Sequence, residues 1–173
     1  MQLLLTSGGV TNPTIHAALE RMLGRPVSAC SALCIPTAQW GHPMCGPASA
    51  RGFVAADPTW RFHSGLGWGS LGLLELTALP TIGAERWVPW VREADVLLVD
   101  GGDATYLAHW LRESVDFSIF PHLDLFPTNT MADAERWAAD IGGPAFAIDE
   151  QTAMSVVDGE ARVLSEGRWR RFG

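Results

Sequence analysis

The residues of this chain best placed to do chemistry are Asp100-Gly101-Gly102-Asp103 and His122. The first group follows Val96-Leu-Leu-Val99, an apolar run without polar alternation, as a parallel strand covered on both faces would require. Two successive glycines let the backbone turn sharply at that strand's carboxyl end and present its N–H groups. Open α/β sheets hold ligands and reacting oxyanions at such turns. Asp103 is expected to cap a helix whose apolar face is Leu107, Trp110 and Leu111. Gly101, Gly102 and Asp103 are therefore expected to line a cleft. His122 follows the strand-like Val115-Asp-Phe-Ser-Ile-Phe120 and Pro121. A histidine held at a strand's carboxyl end suits a general base that reaches a nucleophile from a neighbouring strand. Position alone also fits a structural histidine, and His122 is expected to face the same cleft as the glycines.

A nucleophile is harder to find. None of the ten serines has glycine at both −2 and +2, the pattern of a strand-to-helix elbow. Ser70, in Gly67-Trp-Gly-Ser-Leu-Gly72, has glycines at −3, −1 and +2 and begins a strand instead of ending one. Ser7 ends the first strand beside Gly8-Gly9, but nothing near it in sequence could act as its base. His16 and His109 fall in helices, and His42 and His63 in an irregular loop. His42-Pro-Met-Cys45 offers two metal ligands without the second pair that a site needs, so no metal is expected. Asp100 and Asp103 read as turn and cap residues, and Asp149-Glu150 as a solvated turn between short strands.

Composition narrows the chemistry. All twelve basic residues are arginine. Without lysine there is no Schiff base with a pyridoxal cofactor or carbonyl substrate and no P-loop lysine; no cofactor is expected. A net charge of −7 argues against a nucleic-acid partner. Hydrophobic content of 47% against 18% charged residues marks a globular chain. No apolar run is long enough to span a bilayer and no basic-then-apolar leader opens the chain, so a cytoplasmic protein without membrane contact is expected. Cys30, Cys34 and Cys45 make an odd set, unlike a disulfide framework.

These residues need a scaffold, and the sequence reads as alternating βα units. Gln2 to Thr6 is a buried strand, and Asn12-Pro13 opens a helix with a capping side chain followed by proline. That helix carries Ile15, Leu19, Met22 and Leu23 on one face and ends at Gly24. Strands are expected at Cys30 to Ile35 and Leu71 to Leu76, and a helix at Glu85 to Val91 interrupted at Pro89. Gly41 to Gly69 reads as a long loop with a short helix near Ala48 to Ala55. Near the C-terminus, Ala145 to Ile148 and Ala153 to Val157 are short strands, and Asp158-Gly159 is a hairpin turn into Ala161 to Leu164. The expected fold is α/β, a doubly wound, mostly parallel sheet with a C-terminal antiparallel hairpin. At 173 residues it fits one domain, residues 1–173.

Several segments, kept in order over nearly the whole chain, carry a resemblance: Leu3-Leu-Leu-Thr-Ser-Gly-Gly9, Ile35-Pro-Thr37, Leu74-Glu-Leu-Thr77, Val99-Asp-Gly-Gly-Asp-Ala-Thr-Tyr106, Phe120-Pro-His-Leu-Asp124 and Ala147-Ile-Asp-Glu-Gln-Thr152. Together they resemble the dipeptidase E (alpha-aspartyl dipeptidase) family, serine exopeptidases related to cyanophycinase. The resemblance implies a class I glutamine amidotransferase-like fold, His122 as general base, and peptide N–H groups around Gly101-Gly102 as oxyanion donors. The implied partner is a short peptide, one with N-terminal aspartate included, and a homodimer is compatible with it. Two departures stand out. The family has Gly-Gly-Gly-Asn-Thr where this chain has Asp100-Gly-Gly-Asp-Ala-Thr105. The family also carries its nucleophile strand, a Ser-Ala-Gly-type elbow, a helix and the triad's acidic residue where Ser114 here joins Val115 directly. Such a unit needs roughly 30 residues or more. The chain is therefore read as a member lacking its nucleophile segment, through abridgement or deletion, and inactive as written. Abridgement predicts a Ser114–Val115 separation well beyond the roughly 3.8 Å of a trans peptide. A rival reading is an inactive small-ligand-binding or interaction protein that keeps the cleft. A nucleotide-binding module is disfavoured because Gly-x-Gly-x-x-Gly does not follow the first strand.

Overall fold

The computed structural model of the protein describes residues 2–55, 63–103 and 116–173. Among these the elements run β1 (Gln2–Thr6), α1 (Pro13–Leu23), β2 (Ser31–Ile35), α2 (Pro47–Val54), β3 (Ser70–Leu73), α3 (Ala84–Glu93) and β4 (Val96–Val99). They continue with β5 (Ser118–Phe120), α4 (Met131–Ile141), β6 (Ala145–Ile148), β7 (Thr152–Val157), β8 (Glu160–Ser165) and β9 (Trp169–Phe172). The chain is mixed α/β, and no helix among the described residues is long and apolar enough to cross a membrane. The helix expected after Asp103, with His109, and the Ser114–Val115 junction lie outside the described residues.

The strands form three three-stranded sheets, ordered β1-β7-β8, β3-β2-β4 and β5-β6-β9. The chain divides into two compact units, Met1–Met22 with Glu113–Gly173, and Leu23–Arg112. In the second unit β2 pairs in parallel with both β3 and β4. Its central position explains the unbroken apolar run: Ala32, Leu33, Cys34 and Ile35 are all buried. Phe53 of α2 is fully buried and packs with Ala32, Cys34 and Leu98 on one side of the sheet. Leu33 and Ile35 pack with Leu74 and Leu76 on the other. The helix expected to break at Pro89 runs through it, from Ala84 to Glu93. One missing N–H costs one bond of the helical ladder, and Val91, beyond the proline, packs against the Leu33, Ile35, Leu74 and Leu76 cluster.

In the first unit, Asn12 caps α1 as expected, its Oδ1 accepting from the Ile15 N–H at 2.9 Å. β5 pairs in parallel with β6, whereas β9 adds to the other edge of β6 antiparallel. The hairpin turn at Asp158-Gly159 joins β7 to β8 where the sequence places it. β7 also pairs antiparallel with β1. Two elements escape the sequence reading, α4 and β9. The signal for α4 was present: Thr130 accepts from the Asp133 N–H while Asp133 accepts from the Thr130 N–H, a reciprocal capping box. For β9, Trp-Arg-Arg-Phe has no clean alternation, and its pairing with β6 supplies the order.

Candidate functional site

Strand topology brings three polar side chains together in the first unit. β5 and β6 are parallel neighbours with Phe120 opposite Ala147, so both carboxyl ends open at the same edge. His122 follows the first and Glu150 the second. β1 runs antiparallel to β7 with Thr6 opposite Ala153, which sets Ser7 beside the turn entering β7. His122 Nδ1 lies 2.6 Å from Glu150 Oε1. Ser7 Oγ donates to the same Oε1 at 3.0 Å and accepts the His122 backbone N–H at 2.7 Å. Ser7 Oγ is also 3.4 Å from Nδ1.

The surroundings hold this group in place. Thr11 Oγ1 donates to the Glu150 carbonyl at 2.6 Å, and Asn12 Nδ2 to the Gln151 carbonyl at 2.9 Å. Asp149 takes the N–H groups of Gln151 and Arg168 on its carboxylate, at 3.0 and 2.5 Å. His122 adopts φ 58, a left-handed conformation uncommon outside glycine and found often at functional sites. Its neighbour Leu123 is buried and anchored by an N–H to the Ile148 carbonyl at 3.1 Å. Gly8 admits the Glu150 carboxylate: a Cβ there would stand 1.7 Å from Oε2.

The chemistry follows from which nitrogen is engaged. The hydrogen bond from His122 and a second from Ser7 hold the Glu150 carboxyl below its ordinary range, against the opposing effect of burial. Glu150 is thus a carboxylate, and Nδ1 is the nitrogen that carries the proton toward it. Nε2 has no hydrogen-bond partner among the described residues and is the basic atom. With the side chain 39% exposed, it can meet a substrate or water. Ser7 is on the wrong nitrogen to be the nucleophile of a triad, where acid and nucleophile occupy opposite ring nitrogens. It orients Glu150 and braces the His122 backbone. Ser7 is legible in sequence only as a turn serine lacking a base, and Glu150 only as a solvated turn acid; it does lie in a turn, but half-buried against His122 and not solvated.

Asp100-Gly101-Gly102-Asp103 belongs to the second unit, at the carboxyl end of β4 as expected, but β4 edges its three-stranded sheet with Leu97 exposed and is not the strand covered on both faces that its apolar run suggests. Asp100 N–H donates to the Ile35 carbonyl at 3.0 Å, extending the β2–β4 ladder. Gly102 has φ 148, and a Cβ on it would meet the Ala38 carbonyl oxygen at 2.2 Å, so only glycine fits. Asp103 N–H donates to that same carbonyl at 3.0 Å, and Gly101 N–H to Asp100 Oδ1 at 2.8 Å. Of the turn's four peptide N–H groups, Gly102's alone has no acceptor among the described residues. The Asp100 side chain is buried against Gln39, whose Nε2 donates to Oδ2. Nearby, Thr37 donates to Glu75 Oε2 at 2.9 Å and accepts the Leu76 N–H at 3.0 Å, tying Ile35-Pro-Thr37 to Leu74-Glu-Leu-Thr77.

Other expected residues lie apart from these groups. His16 pairs loosely with Glu20 on α1, at 3.8 Å. His42 accepts the Met44 N–H at 3.2 Å and lies 3.7 Å from Cys45 Sγ. No cluster of three or more histidine, cysteine or acidic side chains suited to a metal occurs among the described residues. Two cavities, of about 550 and 610 Å³, are lined by the α4–β9 end and by the α1–β7–β8 face; neither touches His122, Gly101 or Gly102. The chain matches no family model and no curated protein sequence.

Proposed function

We propose that this chain derives from a serine-type hydrolase of short peptides, dipeptidase E-like, in which His122 is the general base and Glu150, instead of an acid in the segment after Ser114, orients it. The observation that carries the reading is the 2.6 Å contact of His122 Nδ1 with Glu150 at the ends of adjacent parallel strands, which leaves Nε2 free to move a proton. In such a hydrolase Nε2 takes the hydroxyl proton of the attacking serine and returns it to the leaving amine. Glu150 fixes the ring tautomer and stabilises the imidazolium. The oxyanion donors are what the resemblance alone assigns to the Gly101-Gly102 turn, where the Gly101 N–H is engaged by Asp100. With this reading go a doubly wound, largely parallel sheet of the class I glutamine amidotransferase type, a cytoplasmic setting, and a short peptide, one with N-terminal aspartate included, as partner. The nucleophile belongs to the segment that the resemblance places between Ser114 and Val115.

A second reading, a binding protein that has kept the cleft without the chemistry, is favoured by one observation. Among the described residues no hydroxyl or thiol bonds to His122 Nε2. Hydrolysis of aspartyl p-nitroanilide and calorimetric titration with unlabelled aspartyl dipeptides separate the two. The 173-residue chain is expected to release no p-nitroaniline above background. The chain with a strand-elbow-helix unit restored after Ser114 is expected to hydrolyse it, and to lose that activity at least about a thousand-fold on His122→Ala. Dipeptide binding by the 173-residue chain, with no activity in the restored one, would establish the second reading instead.

A further inference from the structure

The Asp100 carboxyl is an acid without a cation. It is 6% exposed, and no arginine or histidine pairs with it among the described residues. Its two oxygens are met by uncharged donors only, the Gly101 N–H on Oδ1 at 2.8 Å and the Gln39 amide on Oδ2. Gln39 is itself 3% exposed, and its Oε1 has no hydrogen-bond partner. A buried carboxylate compensated by two neutral donors is disfavoured relative to its acid form. The charged and titratable groups around it do not reverse that balance. β2 contributes Cys34, fully buried, whose thiol is pushed up to about 11 by burial and then by Asp100 itself. The turn Thr37–Gly41 contributes only the amide of Gln39. Glu75 is taken by Thr37 and Trp40.

We propose that Asp100 is a proton-operated switch of the Gly101-Gly102 turn: neutral when protonated, and anionic, one peptide from the free Gly102 N–H, when ionised. Burial raises this carboxyl to about 7, so the two states exchange within the physiological range. The protonated turn offers the Gly102 N–H to an incoming anion or oxyanion without a competing charge. Ionisation strengthens the Gly101 N–H bond to Oδ1 and sets a negative charge against any anion approaching Gly102. The sequence carries aspartate here, at a turn where glycine alone would have given the backbone geometry but no proton. The switch itself is a property of the resting protein; only its bearing on an oxyanion rests on the hydrolase reading.

The experiment is an NMR titration of the whole chain from pH 4.5 to 9, following the Asp100 side-chain ¹³C carboxyl and the Gly101 and Gly102 amides. The carboxyl is expected to titrate with a midpoint near 7, with both glycine amides moving along the same curve. In Asp100→Asn, which keeps the size and the Gly101 acceptor, the neutral-range movement of both amides is expected to vanish. Gln39→Leu, lacking the donor to Oδ2, is expected to move the Asp100 midpoint further up. A carboxyl midpoint near 4, or glycine amides that titrate unchanged in Asp100→Asn, would overturn the proposal. Neither outcome depends on catalysis, so a failure here is separate from a failure of the peptidase reading.

Discussion

If Asp100 holds its proton to about 7 in the folded chain, the protein must lose stability as pH rises through the weakly acidic range. Between its ordinary value of 3.8 and about 7, the unfolded chain has released this proton and the folded chain has not. Stability falls wherever the unfolded state binds fewer protons. The contribution is therefore full below about 4 and gone above about 7. At roughly 1.4 kcal/mol per pH unit the whole effect is at most about 4 kcal/mol, of which about 3 falls between pH 5 and 8. Other acids do not confound that window. Glu150, Asp95 and Asp133 are held below their ordinary range, chiefly by hydrogen bonds from His122, Ser31 and Thr130, and finish titrating at lower pH. Histidine contributions cancel when wild type is compared with Asp100→Asn. The amide of that variant can still accept from the Gly101 N–H and faces Gln39 as a neutral group. Urea unfolding at pH 5, 6, 7 and 8 is expected to show wild type losing about 3 kcal/mol relative to Asp100→Asn across the series. A difference between the two proteins that stays constant with pH would refute the reasoning, because a merely structural role for Asp100 shifts the curves without tilting them.

Two further outcomes follow from close contacts. Gly8→Ala is expected to push the Glu150 carboxylate off His122, because the new methyl would lie 1.7 Å from Oε2 and a side-chain end moves more readily than backbone. The downfield His122 Nδ1 proton should disappear from the NMR spectrum while the far-UV circular dichroism is unchanged; persistence of that proton would show the carboxylate had stayed. Gly102→Ala meets a main-chain oxygen at 2.2 Å and a φ of 148, neither of which can relax locally. A loss of about 2–4 kcal/mol is expected in urea unfolding, and a loss under about 0.5 kcal/mol would mean that the turn readily adopts another path.

What the sequence by itself determined is what short-range physics controls. The Asn12 cap, the Asp158-Gly159 hairpin, the apolar centre of β2 and the glycine turn after β4 each depend on a few adjacent residues, and each is found where its residues place it. The pair Asn12 and Ile15 needs no distant partner to make a cap. Local rules also overreached at Pro89, where the loss of a single hydrogen bond did not stop a helix. They gave too little at β9, whose order comes from pairing with β6. The candidate site was half legible: His122 stood out as a histidine after a strand, but nothing in Asp149-Glu150 distinguishes a solvated turn from a histidine partner. Glu150 lies 28 residues from His122, and Ser7 lies 115 from it. Only the parallel pairing of β5 with β6 and the antiparallel pairing of β1 with β7 bring those strand ends together. Asp100 shows the same division. Its place in the turn is local, but its burial against Gln39, 61 residues away, is set by β4 lying beside β2. Turns and caps are decided by neighbours in sequence, whereas the protonation of an acid and the partner of a base are decided by what the rest of the fold excludes or brings near.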